Sequence, residues 1–278
     1  MKKISLKKKR QQNISHNYGT GLAITIVMFV LILIGMLWTP YDPDAMQGSL
    51  KLQGPSLLHW FGTDQFGRDV LSRVLSGAGS TLLIALGTII IGGGAGIIIG
   101  AATGYFGGWF DEALMRINDA VAAFPSVLLA LVIISIAGTG KYKVMIALGI
   151  AFIPSFARVV RGEYMRLREA DYVISAKLIG VKTPRILFVH ILPNILPALL
   201  SAIAIGFNNA VLAEAGLSYL GIGVQPPDAS LGRMLSESQT YLASGPWYAI
   251  FPGLFLVLLV LGVGLLGEGI LDQFGGGR

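Results

Sequence analysis

The chain has 278 residues, 54% of them hydrophobic and 13% charged, with 37 glycines, no cysteine and a mean hydropathy of +0.70; these values exclude an ordinary soluble domain and indicate a membrane protein. The missing thiols exclude disulfides, thiolate metal sites and a cysteine nucleophile, and the three histidines (16, 59 and 190) lie too far apart in sequence to suggest a metal site. The net charge of +6 follows membrane orientation rather than a nucleic-acid patch.

Residues 1–20 form a basic tail, with six Lys or Arg and no acid among the first twelve. Residues 21–39 carry no charge and are long enough to cross a ~30 Å hydrocarbon core. The run is too long for the apolar part of a cleaved leader, and no small-x-small site follows it, so it reads as a retained first span. Residues 40–80, with Pro40, Asp42, Pro43, Asp44, Gly54 and Pro55, read as an ordered extracytoplasmic loop. Residues 81–278 then read as a five-helix core. Its first helix, Thr81–Tyr105, has glycines at 92, 96, 100 and 104, a flat stripe suited to close helix packing. Ala120–Gly140 is the third span, entered past Phe124-Pro125. In the fourth only Val144–Ala157 is uncharged, about 21 Å at helical rise, so the helix is expected to run on past a snorkelling Arg158. Ile191–Ala213 and Tyr241–Leu266 are the fifth and sixth.

Six crossings put both termini on one side. That side then holds fifteen of the 21 Lys and Arg residues and the other side six. The positive-inside rule therefore places both ends and the loop 163–190 in the cytoplasm.

Overlapping that region is Asp171–Pro197, reading DYVISAKLIGVKTPRILFVHILPNILP. Asp171–Ile179 has room for about two to three helical turns, Gly180 suits the left-handed residue that ends a helix, and Pro184 bars an immediate restart. Lys182, Arg185 and His190 keep the next run wet until Ile191. Leu178, Ile179 and Val181 gain little from facing water. The residues alone leave two readings open, a solvated connection or a short helix gripped by a soluble partner.

In the outer loop, Gly62, Thr63, Asp64, Gly67, Arg68, Asp69 and Arg73 form a second cluster. Asp64 and Asp69 are placed to cap a helix or to pair with Arg68 and Arg73, a structural role preferred to solute binding. Glu214 is the one acid within reach of the apolar zone, near the outer mouth, where it is hydrated, caps a turn or serves function. Asn208 and Asn209 lie deeper and bond across helices or face a solute path; the structural role is preferred for all three.

Gly138-Thr139-Gly140-Lys141 is not a phosphate loop, because that motif needs Gly at 135 and Ser or Thr at 142, where this chain has Ser135 and Tyr142. No acid/base pair or Ser/His/Asp set stands out. The chain is expected to be no enzyme, to hold no cofactor or metal, and to take any energy from a partner.

The stretch Ile174-Ser175-Ala176, Gly180, His190-Ile191-Leu192-Pro193 resembles the cytoplasmic EAA loop of ABC importer permeases, departing from it at Ile174, Ser175 and His190. Asp171, Tyr172 and Lys177 complete the candidate coupling set. The run GTDQFGRDVLSR resembles the loop after the first span in one of the two permeases of dipeptide, oligopeptide and nickel-type importers. Gly104–Trp109 with Met115-Arg116 and Ala123-Phe124-Pro125, and Ala213–Pro227, resemble further stretches of that family. The resemblance implies an all-α membrane protein of the type I importer permease fold, with six transmembrane helices and cytoplasmic termini. It also implies a second, distinct permease as partner in a heterodimer, two ATPase subunits that use ATP and Mg, an extracytoplasmic solute-binding protein and a lipid bilayer, with no nucleic acid. Peptides are the implied solutes, with nickel or a metal chelate as alternative. A secondary transporter would need ionisable groups at mid-membrane and usually internal repeats; a membrane scaffold would share the basic loop.

Overall fold

The computed structural model describes residues 2–275, and side chains for residues 18–271; the side chains of the basic tail and Arg278 lie outside the described residues. Its helices are α1 (Lys2–Leu37), α2 (Val70–Phe106), α3 (Gly108–Ala122), α4 (Ser126–Ala137), α5 (Lys141–Leu167), α6 (Asp171–Leu178), α7 (Thr183–Arg185), α8 (Leu196–Tyr219), α9 (Leu231–Ser238) and α10 (Trp247–Gly275). Between α7 and α8 the backbone stays helical but changes winding, with a π turn over Ile186–Ile191 and a 3-10 turn over Leu192–Ile195. Five stretches are long and apolar enough to cross a bilayer, and α3 with α4 makes a sixth only as a pair bent by 84°.

The register of the packed helices shows why that pair counts as a crossing. Along α2, a Cβ placed on Gly92, Gly96, Gly100 or Gly104 would lie 2.5–2.8 Å from α5, at Gly149 O, Phe156 Cβ, Ala157 O and Arg161 O in turn. The partners advance with the glycines, so α2 and α5 run parallel. The chain between them must therefore return across the membrane through α3 and α4. By contrast α1 and α10 are antiparallel, with Gly21 against Leu265 and Leu266, and Gly269 against Tyr18. The N-terminal end of α1 thus lies beside the C-terminal end of α10, on one side.

Four expected boundaries are corrected. Ala120–Gly140 is not one straight span: Pro125 is extended (φ −54°, ψ 128°) and disfavours helix at the preceding residue, which makes the elbow. The loop 40–80 is shorter than expected, because α2 begins at Val70. Its first turns carry Ser72, Arg73, Ser76 and Ser80, which hid the helix from a hydropathy reading; Ser72 and Arg73 are buried against other elements. The last span starts at Trp247 rather than Tyr241, which ends a 3-10 turn. The helix containing the fifth span also starts earlier, at Thr183, and runs on to Tyr219.

Two apolar cores result. The larger joins α1, α2, α4, α5, α8, α9 and α10. The smaller gathers Ala101, Val160, Tyr164, Val173, Ala176, Ile186, Leu187 and Ile191 beneath α6.

The α2–α5 seam is backbone against backbone, so any side chain on it overpacks. Gly96→Ala should destabilise the protein by about 1–3 kcal/mol. Gly94→Ala, with nothing within 4 Å of the new methyl, should be neutral or slightly stabilising. Thermal unfolding midpoints in detergent test the pair, and equal midpoints would contradict the seam.

Candidate functional site

The cytoplasmic knuckle is built around α6. After extended Ala170 (ψ 144°) the chain turns into eight helical residues. The helix stops where Gly180 takes φ +79°. The Gly180 N–H donates to Lys177 O (3.1 Å) and the Val181 N–H to Ala176 O (3.0 Å), the paired bonds of a Schellman stop. Val173 and Ala176 point inward onto the smaller core. Lys177 Nζ sits 4.8 Å from the centre of the Tyr105 ring at the end of α2, a cation–π contact. Tyr172, Ile174, Leu178 and Ile179 face outward, the last two 82% and 80% exposed.

The structure thus brings Asp171, Tyr172, Ile174, Ser175, Ala176, Lys177 and Gly180 together on one small element. Ala176 faces the protein rather than a partner. His190, Leu192 and Pro193 lie in the irregular helical turns beyond it. There Tyr164, fully buried, donates its hydroxyl to Leu187 O (2.9 Å), and Asn194 donates to His190 O (2.7 Å). Tyr164 is a contact that sequence reasoning missed, since a tyrosine in a helix carries no signal of its partner.

The outer cluster is a buried polar knot. Asp64 is fully buried and accepts the Phe66 N–H (2.8 Å), the Arg68 N–H (3.0 Å) and Arg68 Nε (2.6 Å). Arg73 Nε stands 3.7 Å from Asp64, and Arg73 Nη1 donates to Pro43 O and Asp44, both at 3.3 Å. Asp69 caps α2 by accepting the Ser72 N–H (2.8 Å), and lies 2.9 Å from His59 Nδ1. Gly62 and Gly67 turn the loop with φ +73° and +75°. Thr63 donates to Leu50 O, and its carbonyl accepts from Trp247 Nε1 (3.1 Å).

A further charge in the knot is Glu237 on α9, which the sequence reading passed over. It accepts from Arg233 Nε (2.9 Å) and the Tyr248 hydroxyl (2.8 Å) and lies 3.4 Å from Arg68 Nη2. The i,i+4 spacing of Arg233 and Glu237 was the available signal. Burial alone would push this carboxyl up, but the hydrogen bonds from Arg233 and Tyr248 and the charges of Arg73 and Arg68 outweigh it and hold it below its usual range.

The three candidate path residues separate. Glu214 is not hydrated at a mouth: it is 0% exposed and accepts from Ser218 (2.6 Å) and Thr81 (2.9 Å), stitching α8 to α2. Asn208 turns toward α10, where its Nδ2 would lie 3.0 Å from a Cβ on Gly264. Asn209 is exposed; it shares with Asn208 a recess against α10 and also lines one against α5.

Two outcomes follow. Because the folded Glu237 carboxyl titrates below its unfolded value near 4.5, its stabilisation is complete above that value and is lost as pH falls through the folded one. The gap in melting temperature between wild type and Glu237→Gln should therefore close as pH drops below 4.5; a gap constant with pH would contradict the assignment. Glu214→Gln should lower the yield of assembled complex while leaving uptake per complex unchanged, and lost uptake in a normally assembled complex would give the carboxylate a transport role.

Residues 96–275 match the family described as binding-protein-dependent transport system inner membrane component. The dipeptide transport system permease protein DppC of Alkalihalophilus pseudofirmus is 41% identical over 90% of this chain and 82% of its own length. The glutathione transport system permease protein GsiD of Pectobacterium atrosepticum is 38% identical over 90% and 85%. Among solved structures, a chain of the inward-facing MetNI methionine ABC transporter superposes with a TM-score of 0.56 at 19% identity, covering 73% of this chain and 95% of its own. That likeness speaks to the fold. With six crossings, a shared side for both termini and a family match over most of its length, this chain belongs to the inner membrane components of binding-protein-dependent transport systems and is a permease subunit of an ABC importer.

Proposed function

We propose that this permease imports peptides, dipeptides and small related solutes such as glutathione among them, and that it is driven through α6 by ATPase subunits. The solute class rests on the dipeptide and glutathione permeases that resemble it over nine-tenths of the chain. The drive rests on one observation, the pair Leu178 and Ile179 left in water at the tip of a short, well-stopped helix. Apolar side chains held out in this way fit a hydrophobic socket on a soluble partner.

The chain supplies half of a membrane path, the other half coming from a second, distinct permease. A binding protein delivers solute from outside, two ATPase subunits bind ATP and Mg below, and this chain holds no cofactor of its own. No bond in the solute is made or broken. The permease is a two-state element whose inward- and outward-open forms present different positions of α6, so ATPase closure can favour one of them.

A push at α6 would spread through the core packed beneath it. Val173 and Ala176 share one core with Ala101 of α2, Val160 and Tyr164 of α5, and Ile186 and Ile191 at the root of α8. Displacing α6 therefore bears on three spans at once, with little room for local give in a close-packed interior.

Gly180→Val isolates the coupling, because a Cβ there would meet nothing within 4 Å and the cost is backbone strain of roughly 1–2 kcal/mol. In proteoliposomes holding the whole transporter, the variant should hydrolyse ATP in response to loaded binding protein yet import several-fold less solute per ATP. A wild-type ratio would sink the α6 reading.

A further inference from the structure

Two polar side chains in the spans are left without an internal partner on a single outward-facing recess. Asn209 of α8 and Ser155 of α5 are both exposed and line a cavity of about 120 Å³ with Phe152, Phe156, Val159 and Ile205. Neither side chain hydrogen-bonds to any described residue. Other hydroxyls in the spans turn back onto their own helix: Thr103 donates to Ile99 O (2.8 Å), Ser135 to Leu131 O (2.8 Å) and Ser201 to Pro197 O (3.2 Å).

Depth sharpens the contrast. Ser155 lies about 21 Å along α5 from its outer end, and Asn209 about 15 Å along α8 from its own. Both are near the middle of a ~30 Å core. A carboxamide facing lipid there has nothing to bond with, so this face meets either a watery path or protein. The recess is concave and too small to enclose a dipeptide, as half of a shared site would be. It also holds no free charge: Arg158, one turn below Ser155, already pairs with Asp119 at 3.0 Å.

We infer that Asn209 and Ser155 are this subunit's contact with the solute during passage, reading the uncharged amide groups of a peptide backbone. A carboxamide offers a donor and an acceptor in the plane a peptide group presents, and a hydroxyl offers both. The aromatic and aliphatic walls tolerate varied side chains. With no charge to neutralise a terminus, the site distinguishes amide-bearing solutes from others rather than one peptide from the next. This inference rests on the peptide-importer reading, and it leaves Glu214 to helix packing.

The absence of native cysteine makes the test direct. Asn209→Cys, Ser155→Cys and Leu261→Cys, the last on an exposed position of α10, each place one thiol in this chain. In proteoliposomes with the partner permease (made cysteine-free), both ATPases and the binding protein, a charged methanethiosulfonate should label the first two far faster than the third, because the reactive thiolate forms only in water. Dialanine under ATP turnover should slow that labelling several-fold. Asn209→Leu should cut dialanine uptake several-fold at normal complex yield, with partial rescue by Asn209→Gln. Labelling no faster than at Leu261→Cys gives the face to lipid or to the partner permease and overturns the inference, as does fast labelling that dialanine leaves unchanged while import proceeds. Should the wild-type complex not import dialanine at all, the peptide reading fails instead, and fast labelling would still support a watery path at these residues.

Discussion

Close contact between α2 and α5 is the constraint on which the other features depend. Four glycines let the backbones approach so nearly that a methyl on any of them would clash, and van der Waals contact of this kind is what holds helices together where lipid is as apolar as leucine. The seam does more than join two spans. α2 is 37 residues long, about 55 Å at helical rise, and both its ends are fixed. At the outer end Asp69 caps it and Arg73 ties it to the loop. At the inner end Tyr105 meets Lys177 of the knuckle. A single helix therefore spans from the outer polar knot to the knuckle at α6, and α5 is held in parallel register beside it.

The knot and the knuckle follow opposite electrostatic rules. Outside, Arg68, Arg73 and Asp64 are buried against a half-buried Glu237, where losing one partner would strand a charge away from water. Such a cluster fixes the loop, α9 and the start of α10 against α2. It leaves no open surface for a solute, although its sequence is the more distinctive of the two. Inside, the useful groups are apolar and exposed, and their value lies in not being satisfied within the chain.

How much of this was legible beforehand depended on the range of the signal. The stop at Gly180 and the restart near Pro184 are local backbone chemistry, and they read directly from consecutive residues. The glycine stripe on α2 was visible as a spacing, but not the helix that covers it. The start of α2 was hidden, because hydropathy treats Ser72 and Arg73 as loop residues when their partners, Asp69, Pro43 and Asp44, are supplied by the fold. Glu237 lies 169 residues from Arg68 in the chain, and nothing local announces the pair. Asn208 and Asn209 looked equivalent until the rotation of α8 was known. Adjacent residues on a helix stand about 100° apart, so both line a recess against α10 while Asn209 alone also reaches the one against α5.

The elbow between α3 and α4 has a consequence for the surrounding lipid. Because α2 and α5 are parallel, the pair has to climb the full membrane, yet α4 has only 12 residues, about 18 Å of rise, against a hydrocarbon thickness of ~30 Å. The remaining depth of the crossing falls to α3, set at 84° to α4. Any mismatch between this crossing and the bilayer would fall at that corner, at a small cost for each ångström.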